Sequence, residues 1–322
     1  MRQRESGVVV IIPALNEELT IGKTIENVRK ATPRAEIVVI DNASTDATNS
    51  IARKCGVKVL SEPRKGKGFA VQKGFDFALT TRANVVVLID GDDTYGTEKL
   101  PEAISLVSNN GFDLVTGTRV PTTRDDSPTK LNSGSQFRPG HKLGNRFFEK
   151  LHNLLLPIGI KDVLSGWRVM SKRFIISFAG EVKGFEIEAQ LNSHAYSVKA
   201  ATHNLEVAYF ARPNGSNSKL NTFKDGLKIL RTSLRNFRNE RPFLAFTVLS
   251  TPWILATTYF VYLPLTTYFD EGIVPYLPRL VTGVGTFLIA ALLWISGVIL
   301  ERIRQVRVLD SLRIFHLNTF AN

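Results

Sequence analysis

Two runs of this chain carry no charge, Phe243 to Leu265 and Leu280 to Leu300. Each holds roughly 20 residues, enough to cross ~30 Å of hydrocarbon as a helix. Uncharged runs of that length are rare in soluble domains. Pro252 lies inside the first, where membrane helices tolerate proline better than soluble ones do. The pair predicts two membrane spans, with one large domain before them and a short basic tail after.

The flanks predict an orientation. Arg231, Arg235, Arg238 and Arg241 precede the first run, and Arg302, Arg304, Arg307 and Arg313 follow the second. The connecting loop, Thr266 to Arg279, has one arginine and two acids. By the positive-inside rule both termini and the large domain are cytoplasmic. Just upstream, Phe223, Leu227, Leu230, Leu234 and Phe237 alternate spacings of four and three, and Lys224, Lys228, Arg231, Arg235 and Arg238 follow one residue behind. On a helix this is an apolar stripe beside a basic one, the pattern of an interfacial helix on anionic head groups. The expected organisation is a cytoplasmic domain over 1–220, an amphipathic helix over 221–242, a two-helix anchor over 243–300 and a cytoplasmic tail over 301–322.

The net charge of +12 favours a polyanionic partner: nucleic acid, an anionic membrane surface or a phosphate-bearing substrate. Nucleic acid is disfavoured, because the basic excess sits beside the apolar runs and is not interleaved with aromatic residues on a platform. Cys55 is the sole cysteine, which excludes an intrachain disulfide and a cysteine-based zinc site. Val8 to Ile12, followed by Pro13, is too short for a signal-peptide core.

The first part of the chain reads as alternating strands and helices, hence an α/β domain with a mostly parallel sheet. Strands are expected at 8–12, 37–40, 57–60, 85–89 and 113–117. Helices are expected near 19–31, from an N-cap at Ser44 to about Cys55, after Gly66 to Leu79, and near 98–110. The run Val85 to Ile89 is short and β-branched, the mark of a strand buried on both faces. It delivers Asp90 and Asp92 to the carboxyl edge of the sheet, where ligands of open α/β folds bind. Paired carboxylates suit a hard divalent ion that also holds a diphosphate. Lys65-Gly66-Lys67-Gly68 lacks the P-loop spacing, and Val71 stands where a dinucleotide fingerprint has its third glycine. Lys67 stays open between a phosphate contact and a solvated loop.

Three blocks then form one pattern. Val10-Ile11-Ile12-Pro13-Ala14-Leu15-Asn16-Glu17, Val39-Ile40-Asp41-Asn42-Ala43-Ser44-Thr45-Asp46 and Asp90-Gly91-Asp92 resemble family 2 glycosyltransferases. Within them the chain is most similar to polyprenyl-phosphate glycosyltransferases, the group that includes dolichyl-phosphate mannose synthase. The resemblance covers about residues 7–220 and extends to a two-span anchor.

It implies a GT-A type fold and transfer of a sugar from a nucleoside diphosphate sugar to a polyprenyl phosphate, with inversion and with Mg²⁺ or Mn²⁺. Residue by residue, it implies that Pro13, Ala14, Glu17, Asp41 and Asp90 line the donor and that Asp90 and Asp92 hold the metal, Asp92 more directly; Lys67, from the reading of its loop, is taken with the donor-binding set. It places Asp162, Ser165, Gly166, Trp167 and Arg168 beside the acceptor. Arg212, Ser216 and Lys219 match the segment that supplies cations to phosphates, and Arg212 joins Asp90 and Asp92 as a catalytic candidate.

Three departures stand out. Asn42 replaces a second acid, Trp167 replaces phenylalanine and reads here as a packing residue, and Asp93 adds a third carboxylate. Glu186 and Glu188 stay open between sugar hydroxyls and a solvated helix face. His141, His152, His194 and His203 show no metal spacing. Uracil is the favoured base. The sugar, hexose or N-acetylhexosamine, stays open, as does a homo-oligomer.

A processive polysaccharide synthase of the same superfamily is the nearest alternative. It implies a Gln-x-x-Arg-Trp block where this chain has Gln190-Leu191-Asn192-Ser193-His194. A non-catalytic membrane-tethered binding protein is opposed by the intact acids and cations.

Overall fold

The structure is a computed structural model that describes residues 7–122, 159–178, 184, 186–212, 231, 234–235, 237–274 and 276–317. The chain divides into two compact units, a sheet domain and a pair of long helices.

Seven strands build one sheet: β1 (Val8–Ala14), β2 (Glu36–Asp41), β3 (Lys58–Ser61), β4 (Val85–Leu88), β5 (Leu114–Pro121), β6 (Arg168–Ser171) and β7 (Thr202–Tyr209). Their order is β3-β2-β1-β4-β6-β5-β7. The pairs β3-β2, β2-β1 and β1-β4 are parallel, β6 is antiparallel to both of its neighbours, and β7 is parallel to β5. This is the expected mostly parallel sheet, with one reversed strand that the sequence pattern had not indicated.

The reversal matters for the site. Because β6 runs backwards, the turn before Arg168 arrives at the carboxyl edge of β4, and Leu88 pairs with Arg168 there. The carboxyl ends of β1, β2, β4 and β7 reach the same edge.

The central strands are buried on both faces, as their unbroken apolar runs require. One core holds Val9, Ile11, Val86, Leu88 and Phe174. The opposite core holds Val10, Ile12, Val87, Trp167 and Val169. Trp167 is fully buried and donates its ring N–H to the carbonyl of Gly96 at 3.2 Å, so it is the packing residue the sequence suggested.

Among the described residues of this unit the helices are α1 (Ile21–Ala31), α2 (Thr48–Lys54), α3 (Lys67–Leu79), α4 (Leu100–Ser108), α5 (Lys172–Ser177) and α6 (Ile187–Ser197). α1 buries Ile21, Thr24, Ile25 and Val28 on one stripe. α3 passes so close to β1 that a Cβ at Gly74 would run into Ile11. α2 begins later than expected. Ala47, not Ser44, stands at its N-cap, and Asp46 just before it accepts the N–H of Thr48 at 3.0 Å. Ser44 instead accepts the N–H of Asn16 at 3.0 Å and ties two site loops together.

The second unit contains α7 (Pro242–Glu271) and most of α8 (Leu277–Leu317). Both are long and apolar enough to cross a membrane, and most of their apolar surface is exposed. They pack through small residues. A Cβ at Gly283 would strike Val261, and one at Gly297 would strike Phe246. Thr257 and Thr286 meet through their hydroxyls at 2.9 Å. α8 runs past Leu300 and stays helical to Leu317, with Arg304 paired to Glu301 at 2.7 Å on the way. Most of the expected 221–242 helix lies outside the described residues.

Candidate functional site

The carboxyl edge gathers three loops, after β1, β2 and β4. The turn after β4 is pinned by α1, since the hydroxyls of Thr20 and Thr24 both donate to the carbonyl of Gly91, at 2.9 and 3.2 Å. Gly91 also lies against Pro13 and Ala14 at the end of β1. Glu17, buried, donates its N–H to Thr48 at 2.7 Å and accepts from Thr20 at 3.2 Å. Asp41, at the end of β2, accepts from Asn49 at 2.8 Å and from the N–H of Ser44 at 3.1 Å. Pro13, Ala14, Glu17, Asp41, Asp90 and Asp92 thus share one edge.

Asn42 has a structural task there. Its amide donates to the carbonyl of Arg64 at 2.7 Å and accepts the N–H of Gly66 at 2.8 Å. A second acid at this position could accept but not donate.

Asp90 and Asp92 differ in their surroundings. Asp90 faces Lys67, whose Nζ lies 2.6 Å from Asp90 and 2.6 Å from Glu188 on α6. Lys67 is therefore not a solvated loop residue: it bridges two carboxylates. Burial opposes its charge, but Asp90 and Glu188 outweigh burial and raise its pKa. Burial raises the pKa of Glu188, and Asp90 adds to the rise. Glu188 is buried, so the solvated-face reading fails for it, and its Oε2 has no hydrogen-bond partner among the described residues.

Asp92 is buried, and its Oδ2 lies 2.6 Å from Arg212 Nη2. Burial and the charge of Asp90 raise its pKa, and Arg212 pulls it down. Asp93 turns to α1, where Asn27 donates to it at 2.9 Å and Lys23 lies 3.9 Å away. Asp90 and Asp92 are left as the carboxylates suited to a metal. Among the described residues no group of three or more histidine, cysteine, aspartate or glutamate side chains forms a metal cage. Two hard carboxylates still fit Mg²⁺ or Mn²⁺, since such ions complete their shell with substrate phosphates and water.

In the 162–168 turn the side chains expected beside the acceptor are engaged with the protein itself. Arg168 is fully buried, and its guanidinium bonds Asn192 at 2.6 Å and the carbonyls of Ser165, Val163 and Glu188 at 3.1 to 3.3 Å. Those bonds satisfy a buried cation that has no exposed surface to offer a phosphate. Ser165 is buried too, and its hydroxyl lies against the backbone of Trp167. Asp162 forms a two-pronged pair with Arg119 at 2.6 and 2.8 Å. These three side chains build the turn. Gly166 within it is constrained, because a Cβ there would collide with the carboxylate of Asp90, and Tyr95 accepts its N–H at 2.9 Å. Ser216 and Lys219 lie outside the described residues.

The expected set omitted Thr94, which donates to Asp92 at 2.6 Å, and left Glu188 open. No local sequence signal marks Thr94. Glu188 was detectable only as an acid on a helix.

The model of the family described as Glycosyl transferase family 2 matches residues 9–177, more than half of the chain. The chain belongs to glycosyl transferase family 2. Two Haloferax volcanii relatives extend this family 2 likeness beyond the matched region. The dolichyl-phosphate hexose transferase is 30% identical over 234 residues, which is 72% of this chain and 94% of that protein. Glycosyltransferase AglJ is 28% identical over 239 residues, 74% of this chain and 75% of that protein.

Among solved structures, glucosyl-3-phosphoglycerate synthase from Mycobacterium tuberculosis, in complex with Mn²⁺, UDP-glucose and phosphoglyceric acid, superposes with a TM-score of 0.55. The match covers 73% of this chain and 82% of that one at 20% identity. It gives this family 2 glycosyltransferase the expected GT-A type fold.

Proposed function

We propose that this glycosyltransferase moves a hexose or N-acetylhexosamine from a nucleoside diphosphate sugar to a polyprenyl phosphate, with inversion, at the cytoplasmic face of a membrane. The observation that carries the reading is the approach of Arg212 to Asp92 at 2.6 Å. It sets an oxygen ligand for a hard cation beside a guanidinium fit for a phosphate. Support comes from the relative named dolichyl-phosphate hexose transferase and from the two long apolar helices. The UDP-glucose and Mn²⁺ of the structural neighbour favour a uridine donor and a divalent ion.

The acceptor's nucleophile is a phosphate oxygen, already ionised at pH 7, so no strong general base is needed. As it bonds to C1, the bond from C1 to the diphosphate breaks, and charge grows on the departing nucleoside diphosphate. Asp92 and Asp90 would hold Mg²⁺ or Mn²⁺, which would supply Lewis-acid stabilisation of that charge. Pro13, Ala14, Glu17 and Asp41 line the donor. Lys67 holds Asp90 and Glu188 side by side and offsets their mutual repulsion. Arg212 grips the acceptor phosphate through its planar fork, aided by Ser216 and Lys219. Asp162, Ser165 and Arg168 act through the turn they build. The basic flanks of the apolar helices bind the anionic cytoplasmic surface and keep both termini on that side.

A transfer assay tests this. Purified full-length protein in detergent receives a polyprenyl phosphate, a panel of labelled nucleotide sugars, and Mg²⁺ or Mn²⁺ with EDTA controls. Label entering the lipid phase from one donor, and lost with EDTA, is expected. Water-soluble polymer in the same tubes would move the assignment to a processive synthase. Asp92→Ala is expected to lower transfer by at least ~10²-fold while the protein stays folded.

A further inference from the structure

The two oxygens of Asp92 have different partners. Oδ1 accepts twice from Thr94, from the backbone N–H at 3.2 Å and from the hydroxyl at 2.6 Å. Oδ2 faces Arg212 at 2.6 Å. Thr94 is 1% exposed, so water does not compete for Oδ1.

Thr94 also governs where Arg212 sits. Its carbonyl accepts the N–H of Phe210 at 2.7 Å, and Gly96 donates to the carbonyl of Ala208 at 2.8 Å. Tyr95 and Tyr209 form an antiparallel bridge between these bonds. The segment carrying Thr94 is thereby laced to the end of β7, two residues short of Arg212. One threonine fixes both the carboxylate and the strand that brings the guanidinium to it.

Resting on the glycosyl-transfer reading, we propose that Asp92 Oδ2 is a single cation seat, held by Arg212 before the donor arrives and surrendered to the donor's divalent ion. Thr94 is the positioning residue that reserves this oxygen. Two cations cannot share one buried oxygen without strong repulsion at low dielectric. The other oxygen is closed to an ion by its two hydrogen bonds. Arg212 therefore leaves Asp92 when the ion binds, and its guanidinium becomes available to the acceptor phosphate. By linkage, the ion and the acceptor phosphate each raise the affinity for the other.

Direct Mn²⁺ binding, read by electron paramagnetic resonance on full-length protein in detergent, tests the seat without any turnover. With Mn²⁺ alone, Arg212→Gln is expected to bind at least about fivefold tighter than the native chain, because a competitor is gone. Thr94→Val is expected to bind at least about fivefold weaker, and Thr94→Ser to restore native binding by returning the hydroxyl. Inorganic phosphate serves as the second probe. Saturating Mn²⁺ should raise phosphate affinity in the native chain and not in Arg212→Gln.

Unchanged or weaker Mn²⁺ binding by folded Arg212→Gln overturns the exchange and leaves the transferase reading standing. An equal rise in phosphate affinity in both proteins overturns it too. A native chain that binds no Mn²⁺ even with UDP present overturns the site reading itself.

Discussion

The ammonium of Lys67 lies 2.6 Å from the carboxylate of Glu188, which is buried, and the Lys67 side chain is itself only 11% exposed. The same ammonium holds Asp90. Removing it leaves two carboxylates facing each other with no counter-charge, and breaking a buried pair from one side costs about 3–5 kcal/mol. Lys67→Met is expected to lower stability by that amount. Because Glu188→Gln removes one of the stranded charges, the double variant should lose less than the sum of the single losses. Thermal unfolding of the four proteins in detergent gives the coupling, and strict additivity would remove the bridge from the account.

Gly166 offers a test of how tightly Asp90 must be placed. A methyl group at this position would overlap the Asp90 carboxylate, and the backbone cannot retreat because its N–H is bonded to Tyr95. Gly166→Ala is expected to push Asp90 aside by a fraction of an ångström to an ångström. Misplacement on that scale costs on the order of 10²-fold in rate. The expected result is a fall in kcat with a near-native melting temperature, measured in the lipid-phase transfer assay.

Asn42 predicts a loop phenotype. Its amide both accepts from Gly66 and donates to Arg64, so it spans the approach to α3 and hence to Lys67. Asn42→Asp can keep only the bond from Gly66, and the carbonyl of Arg64 then faces a carboxylate. A loss of about 1–3 kcal/mol is expected for the unsatisfied groups, with a raised KM for the donor. Unchanged stability and KM would remove this role from Asn42.

The same residues show what the sequence can reveal. β1, β2 and β4 are runs of Val and Ile, and a run buried on both faces looks the same in the sequence as in the fold. The acids at their ends, Asp41, Asp90 and Asp92, were legible for that reason.

β6 was not legible. It is four residues long and begins with Arg168, whose charge reads as exposed, yet the guanidinium is buried because Asn192 and three carbonyls satisfy it. Its antiparallel insertion depends on pairings with β4 and β5 that no local pattern encodes. Lys67 was legible as a cation near the site. Its partners Asp90 and Glu188 come from separate parts of the chain, and only the folded sheet makes them neighbours.

His194 supplies the pH prediction. It lies on α6, packed edge-on against Phe174 and Phe178, with Ser177 Oγ 2.8 Å from Nε2. Burial among those rings lowers its pKa from 6.5 to about 4. The unfolded chain therefore takes up a proton below pH 6.5 that the folded chain refuses. The contribution to stability is fully present above pH 6.5 and is lost as pH falls through the window down to about 4. Its size is about 3 kcal/mol, from the free energy of each unit of displacement. His194→Gln should flatten the part of the melting-temperature curve that lies in this window, while the carboxylate-driven fall at lower pH remains. Parallel curves for the native chain and the variant from pH 7 to pH 4 would show that His194 is not the group responsible.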